Sequence, residues 1–314
     1  MASQRDTANR IGSVKNIQKI TSAMQMVAAA RLRKAEQRIE ALRPYADTIS
    51  RMTRQAAAAA GNVPQLPILN EHDSVDNVGL LLVTGDRGLA GAFNSQIIRS
   101  GVRARAELTD EGQQTTFYAV GRRGDSSLNF RNLAPKNSFI GFTDRPAFSD
   151  ARHIAEELMA AYIDGELDQV DIIYNSYVSP LTQIVTRQRI LPLQQASILE
   201  GGLEDEVGEH AALQAGGDEG AGDAEVAGNR ALWLYEPDPE ELLKRLIPDF
   251  VEITVFRALL ESAASELGAR MTAMRSASDN AGEMIQNLTL EMNRQRQAAI
   301  TQEILEVVGG AEGL

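Results

Sequence analysis

From about Ser3 to Ala60, apolar residues recur at alternating steps of three and four. Val14, Ile17, Thr21, Met24, Ala28, Ala35, Leu42, Tyr45, Ile49 and Met52 mark a seam that Arg31 and Arg38 interrupt. Ile11, Ile20, Val27, Leu32 and Ile39 widen it beyond a strict two-stranded stripe. This spacing predicts one helix with a ragged heptad. The same period returns from about Pro239 to Val308, through Ile253, Phe256, Leu260, Ala263, Leu267, Met274, Ala281, Ile285, Leu288 and Met292, with Pro248, Gly268 and Gly282 as expected breaks. At 1.5 Å per residue these are helices of roughly 80 and 105 Å. A typical globular helix has only about three turns. The second outlasts the first by roughly 15 residues, or about 25 Å, which predicts a tip without a helical companion.

Between the two helices the period changes. Val78–Thr84 reads as a buried strand, Gly91–Leu108 as a helix and Thr115–Val120 as a strand. Ser126–Asn132 reads as a short helix, Ser138–Phe142 as a short strand, and Ser149–Asp164 as a helix opened by a capping box. Val170–Val178 and Gln183–Leu191, joined across Ser179–Pro180, read as a terminal hairpin. Strands separated by helices predict a mainly parallel sheet covered on both faces, with one antiparallel pair at an edge. The expected division is residues 1–60 as the first helix, 75–193 as an α/β domain, 194–232 as a flexible acidic linker and 239–314 as the second helix. Residues 201–229 hold eight acidic residues, no basic one and eight Gly, too little apolar surface to offset ordering. A short ordered element is expected at Ala231–Tyr235, and Glu236–Pro239 stiffens the entry to the last helix.

Composition sharpens this picture. Aromatics are only 5% of the chain, which suits narrow helix seams better than a thick core. Seven of the nine Met lie in the two long helices, where their soft side chains fill irregular gaps or tolerate changing neighbours. The formal charge is −12, yet residues 1–60 carry eleven Lys/Arg against four Asp/Glu. A basic helix in an acidic chain points to an anionic partner, or to a solvated face. The absence of Cys excludes disulfides and thiolate chemistry. His72, His153 and His210 have no ligand spacing, so no metal or other cofactor is expected. No run reaches the ~18 apolar residues of a membrane span, and the opening residues enter helical period without an apolar signal core. The turn Thr84–Gly91 leaves a strand and opens a helix, a place where phosphates bind. Its spacing is neither a P-loop nor G-x-G-x-x-G, so a tight turn and a nucleotide site both stand as readings. No nucleophile–base–orienter set is present. The basic helix lacks a helix-turn-helix pattern, and the acidic remainder would repel DNA.

Several segments resemble one family. Ile11–Ala35 (IGSVKNIQKITSAMQMVAAARLRKA) and Arg294–Gly310 (RQRQAAITQEILEVVGG) look like the two signature ends of the gamma subunits of F-type ATP synthases. Residues 84–94 (TGDRGLAGAFN), 234–239 (LYEPDP) and 270–280 (RMTAMRSASDN) also resemble that family, in order along nearly the whole chain. The resemblance implies an antiparallel coiled coil of the two terminal helices with a central Rossmann-like α/β domain. It implies a central-stalk rotor with no catalytic residue, peripheral to the cytoplasmic face of a bacterial membrane. The implied partners are a ring of alpha and beta subunits, the epsilon subunit and the c ring. By motif, Arg296, Gln297, Thr301 and Gln302 match a polar cluster that contacts a beta subunit, and Met24 and Met26 match apolar positions on the first helix that face it. Ile300, Ile304, Leu305, Val307 and Val308 would form the shaft tip. The family's Gly-rich turn usually has Cys where Ala90 stands, and residues 194–232 are longer than the corresponding link in a typical bacterial member. A static coiled-coil scaffold with an α/β head remains the alternative to a rotor.

Overall fold

The computed structural model describes residues 4–60, 67–69, 72, 74–193 and 239–312. The expectations for 194–232, Ala231–Tyr235 and Glu236–Asp238 lie outside these residues. The chain groups into two compact units: Met1–Leu32 with Leu89–Gly91 and Leu267–Leu314, and Arg33–Gly88 with Ala92–Glu266. Both long helices contribute to each unit. Helix α1 spans Gln4–Ala60, and the last helix, α5, spans Pro239–Glu312.

Neither Pro ends its helix, contrary to the breaks expected in the second. Pro44 lacks the N–H that would reach the Glu40 carbonyl, and Pro248 fails Lys244 in the same way. Each is one lost bond in a helix held by packing along many turns. At Gly282 the helices come close: a Cβ there would lie 3.2 Å from Gln18 Nε2 on α1, and that side chain would have to give by a few tenths of an ångström.

The second unit contains a five-stranded sheet in the order β3-β2-β1-β4-β5. The strands are β1 Asn77–Val83, β2 Gln114–Val120, β3 Asn137–Phe139, β4 Gln169–Tyr177 and β5 Gln183–Leu191. The pairs β1–β2, β1–β4 and β2–β3 are parallel. Only the β4–β5 hairpin is antiparallel, at the edge as expected. Helices α2 (Phe93–Asp110), α3 (Arg122–Phe130) and α4 (Phe148–Ile163) connect the parallel strands. Alternation assigns the two faces. Leu82 of β1 points at Gly101 of α2, where any Cβ would meet its side chain at 2.6 Å. Leu81, Val83, Tyr118, Val120, Ile172 and Tyr174 point the other way. They join Ile154 and Leu158 of α4, Ile49 and Ala56 of α1, and Leu243 to Leu259 of α5 in one apolar core.

Three local expectations shift. Helix α3 begins at Arg122 rather than Ser126, because Gly121 turns the chain at φ 87° directly after β2. Strand β3 ends at Phe139 rather than Phe142: Gly141 has φ 99°, and its N–H and that of Thr143 are taken by the Asp86 carboxylate, which draws the chain off the sheet. Helix α4 is capped by Asp150, whose carboxylate accepts the Ala147 N–H at 2.8 Å, and not by Ser149.

Candidate functional site

In the first unit α1 and α5 run antiparallel. Thr7 Oγ1 donates to Gln295 Oε1 at 3.3 Å, and Gln18 Nε2 donates to the Ser278 carbonyl at 3.5 Å. The buried line on α1 is Thr7, Ile11, Thr21, Ala28 and Leu32, with Val14 and Gln18 half-buried between them. This is a heptad seam, but it is offset from the sequence reading. Ile17 is 53% exposed and Gln18 takes the place expected for it. Ile20 and Val27 are also exposed. On α5 the seam runs through Leu267, Met274 and Ala281, all buried, and the half-buried Ile285, Leu288 and Met292, as the spacing predicted.

Past Gln295 the character of α5 changes. From Arg296 to Leu305 every side chain is exposed. The helix continues to Glu312, about 25 Å beyond the level of Thr7. Arg296, Ile300 and Ile304 fall on one line at four-residue steps, and Gln297, Thr301 and Leu305 on the adjacent line. The expected polar cluster and apolar tip therefore share one face, with Ile300 at 49%, Ile304 at 57% and Leu305 at 65% exposure. Thr301 Oγ1 bonds back to the Gln297 carbonyl at 2.9 Å. Gln302 is exposed one step around the helix. Val307 and Val308 continue the backbone, and their side chains lie outside those described. Met24 and Met26 are not brought to this face. Met24 is half-buried beside the α1 seam and Met26 is exposed. Both lie roughly 25 Å along α1 from Thr7, the residue that meets Gln295.

In the second unit the Gly-rich turn is occupied by its own acid. Asp86 Oδ1 accepts the Arg122 N–H at 3.1 Å, at the start of α3. Its Oδ2 accepts the Gly141 N–H at 2.9 Å, the Thr143 N–H at 3.2 Å and the Thr143 hydroxyl at 3.0 Å. Burial alone would raise the Asp86 pKa, but these bonds outweigh it and hold the carboxyl below its ordinary range. Gly85 N–H is taken by Asn94 Oδ1 at 2.8 Å, and Gly124 N–H by Thr84 Oγ1 at 2.8 Å. The Gly85 and Asp86 N–H groups are thus taken within the fold, by Asn94 Oδ1 and Thr143 Oγ1, which favours the tight-turn reading over nucleotide binding.

One feature escaped the sequence reading. From Phe250 to Leu267, α5 is buried or half-buried all round, yet it carries Glu252, Thr254, Glu261, Ser262, Ser265 and Glu266 inside. Of these, Ser262 meets the end of β1 and Glu261 and Ser265 the C-terminal part of β4, while Glu252 faces Arg152 of α4. In a doubly wound sheet the crevice between such strands is where ligands enter. A polar run, ESAASE, within an apolar helix was the available signal. A cavity lined by Val83, Thr84, Thr143, Leu259, Ser262 and Glu266 borders it. Among the described residues, no helix is long and apolar enough to cross a membrane.

Comparison with known proteins places these features. A family model described as ATP synthase matches residues 3–314. The ATP synthase gamma chain of Rubrobacter xylanophilus is 41% identical over 314 residues, covering 100% of this chain and 99% of its own length. A chain from the Euglena gracilis mitochondrial ATP synthase superposes with a TM-score of 0.64 at 20% identity, over 99% of this chain and 94% of that one. A chain from the central stalk and c-ring structure of the Tetrahymena thermophila mitochondrial ATP synthase gives 0.56 at 24% identity, over 82% and 99%. The two solved chains share the fold, and the match along the whole sequence carries the kinship: this chain belongs to the gamma-chain family of ATP synthases.

Proposed function

We propose that the chain is the central-stalk rotor subunit of a bacterial proton-translocating F-type ATP synthase. It couples rotation of a c ring to conformational cycling of catalytic beta subunits, and so to ATP synthesis or hydrolysis. The observation that carries this reading is the end of α5. On a member of this family, a helix that leaves its partner at Gln295 and continues with Ile300, Ile304 and Leu305 exposed needs an apolar sleeve. A ring of alpha and beta subunits around the tip supplies one.

Arg296, Gln297, Thr301 and Gln302 then present polar groups to a beta subunit on the same face. Met24 and Met26 offer a second, softer contact lower on the shaft. The α/β unit, residues 75–193, forms the foot beside epsilon and on the c ring, peripheral to the cytoplasmic face of the membrane. The chain supplies no catalytic group. The Asp86 carboxylate, which ties the Gly-rich turn to the Arg122, Gly141 and Thr143 amides, supports a structural role for that turn.

The test is co-expression with alpha and beta subunits, followed by reconstitution with the membrane sector. Stoichiometric assembly with ATP hydrolysis that drives proton transport is the expected result. Assembly with hydrolysis but no proton transport would instead make the chain a static scaffold.

A further inference from the structure

We propose that the buried polar face of α5 is a torsional key that stops the helix from turning about its own axis against the sheet. The inference rests on the rotor reading above and deepens it by naming the residues that bear torque within the second unit. Ser262 Oγ donates to the Val83 carbonyl at 3.3 Å, and Ser265 Oγ donates to the Asn175 carbonyl at 3.0 Å. Ser176 Oγ donates to Glu261 Oε2 at 2.8 Å, and Arg152 Nε donates to Glu252 Oε2 at 3.0 Å. Arg257, one turn before Glu261, holds its other oxygen at 2.8 Å.

The directions of these bonds carry the argument. At about 100° per residue, Glu261, Ser265, Ser262 and Glu252 span roughly half the circumference of the helix. Their partners come from β1, β4 and α4, so rotation in either sense lengthens at least one bond. The apolar contacts around them, Leu259, Leu260 and Ala264 among others, are non-directional and would let a helix roll. Hydrogen bonds weaken steeply when misaligned. A stability role alone would be met more simply by apolar residues, because buried polar groups cost free energy unless paired. Here Ser262 and Ser265 are paired with carbonyls at or near the C-terminal ends of β1 and β4, two adjacent inner strands of the sheet. Because α5 is one continuous helix to Glu312, torque resisted at 252–265 is carried along it.

The test uses the assembled complex with the triple variant Ser176→Ala, Ser262→Ala, Ser265→Ala, which removes three ties and no charge. Torsional stiffness of the rotor, read from the angular fluctuations of a probe on the stalled shaft, is expected to fall about twofold or more. Protons transported per ATP hydrolysed should fall against an opposing gradient, while unloaded hydrolysis is retained. Restoring the hydroxyls as Ser262→Thr and Ser265→Thr should recover stiffness. The control Leu260→Ala, which loosens packing and keeps every tie, should lower the melting temperature without softening rotation. Wild-type stiffness in the triple variant, or equal softening in Leu260→Ala, would overturn the key. Should the triple variant not assemble, Ser262→Ala and Ser265→Ala are measured singly, each expected to soften the rotor and each overturning the key if it does not. A wild-type complex that hydrolyses ATP without rotating would sink the rotor reading itself, a separate outcome.

Discussion

Gly121 and Asp86 show how single residues fix the turn at the C-terminal edge of the sheet. Gly121 has φ 87°, and a Cβ there would fall 2.2 Å from the Thr84 carbonyl oxygen. Both backbone strain and a collision with main chain oppose a side chain, so Gly121→Ala should destabilise the second unit by more than about 2 kcal/mol. Thermal unfolding of the purified chain checks this. Asp86 works through charge. Its folded-state pKa lies below the ordinary value, so its contribution is present above about pH 4 and is lost as pH falls through the lower folded-state value. Asp86→Asn should therefore cost about 1–3 kcal/mol at pH 7 and less at pH 3. Urea titrations at the two pH values read the difference, and an equal cost at both would sink the assignment. Tyr177 is a third fixed point: burial first, and then its hydrogen bond to Glu36 of α1, push its phenol above the usual range.

Elements were legible in the sequence where one period ran unbroken. The long strands and both long helices follow from alternation and spacing, because their apolar faces repeat over many residues, while β3, three residues with one buried, rested on punctuation. Boundaries were less legible where a side chain distant in sequence decides them. Strand β3 stops because Asp86, more than fifty residues earlier, takes the Gly141 and Thr143 amides. The seam of α1 was misread at Ile17 because hydrophobicity alone cannot show that Gln18 reaches the Ser278 carbonyl. The polar face of α5 was hidden by its apolar surroundings. Pro248 was expected to break the last helix, yet α5 runs through it. Pro44 likewise lies inside α1, as the spacing predicted, and Thr48 Oγ1 donates back to its carbonyl at 2.6 Å. Replacing Pro44, an exposed position, by Ala restores an N–H for Glu40 and removes the ring clash, so Pro44→Ala should stabilise the chain by about 1–3 kcal/mol. Slower amide exchange around residues 40–48 would accompany the gain. Unchanged exchange would mean that the backbone there was never loosened.

For the whole molecule, charge and softness are distributed unequally. Residues 1–60 are basic, residues 201–229 are strongly acidic, and Met is concentrated in the two long helices. A rotor must leave each partner as readily as it meets the next, which favours diffuse charge and adaptable packing over interlocking contacts. Met24 makes this testable. It is half-buried beside the coiled-coil seam, so a lysine there would set a fixed charge at the border between the shaft and its surroundings. Met24→Lys should bind one rotational position more tightly than the others and raise the barrier to leaving it. The expected outcome in reconstituted vesicles is fewer protons transported per ATP hydrolysed, with assembly intact. Met24→Leu, which keeps the volume and the apolar surface, should behave as wild type. Equal losses in both variants would trace the defect to seam packing instead. An unchanged ratio in Met24→Lys would remove Met24 from the coupling surface, while leaving the exposed face from Arg296 to Leu305 to be tested on its own.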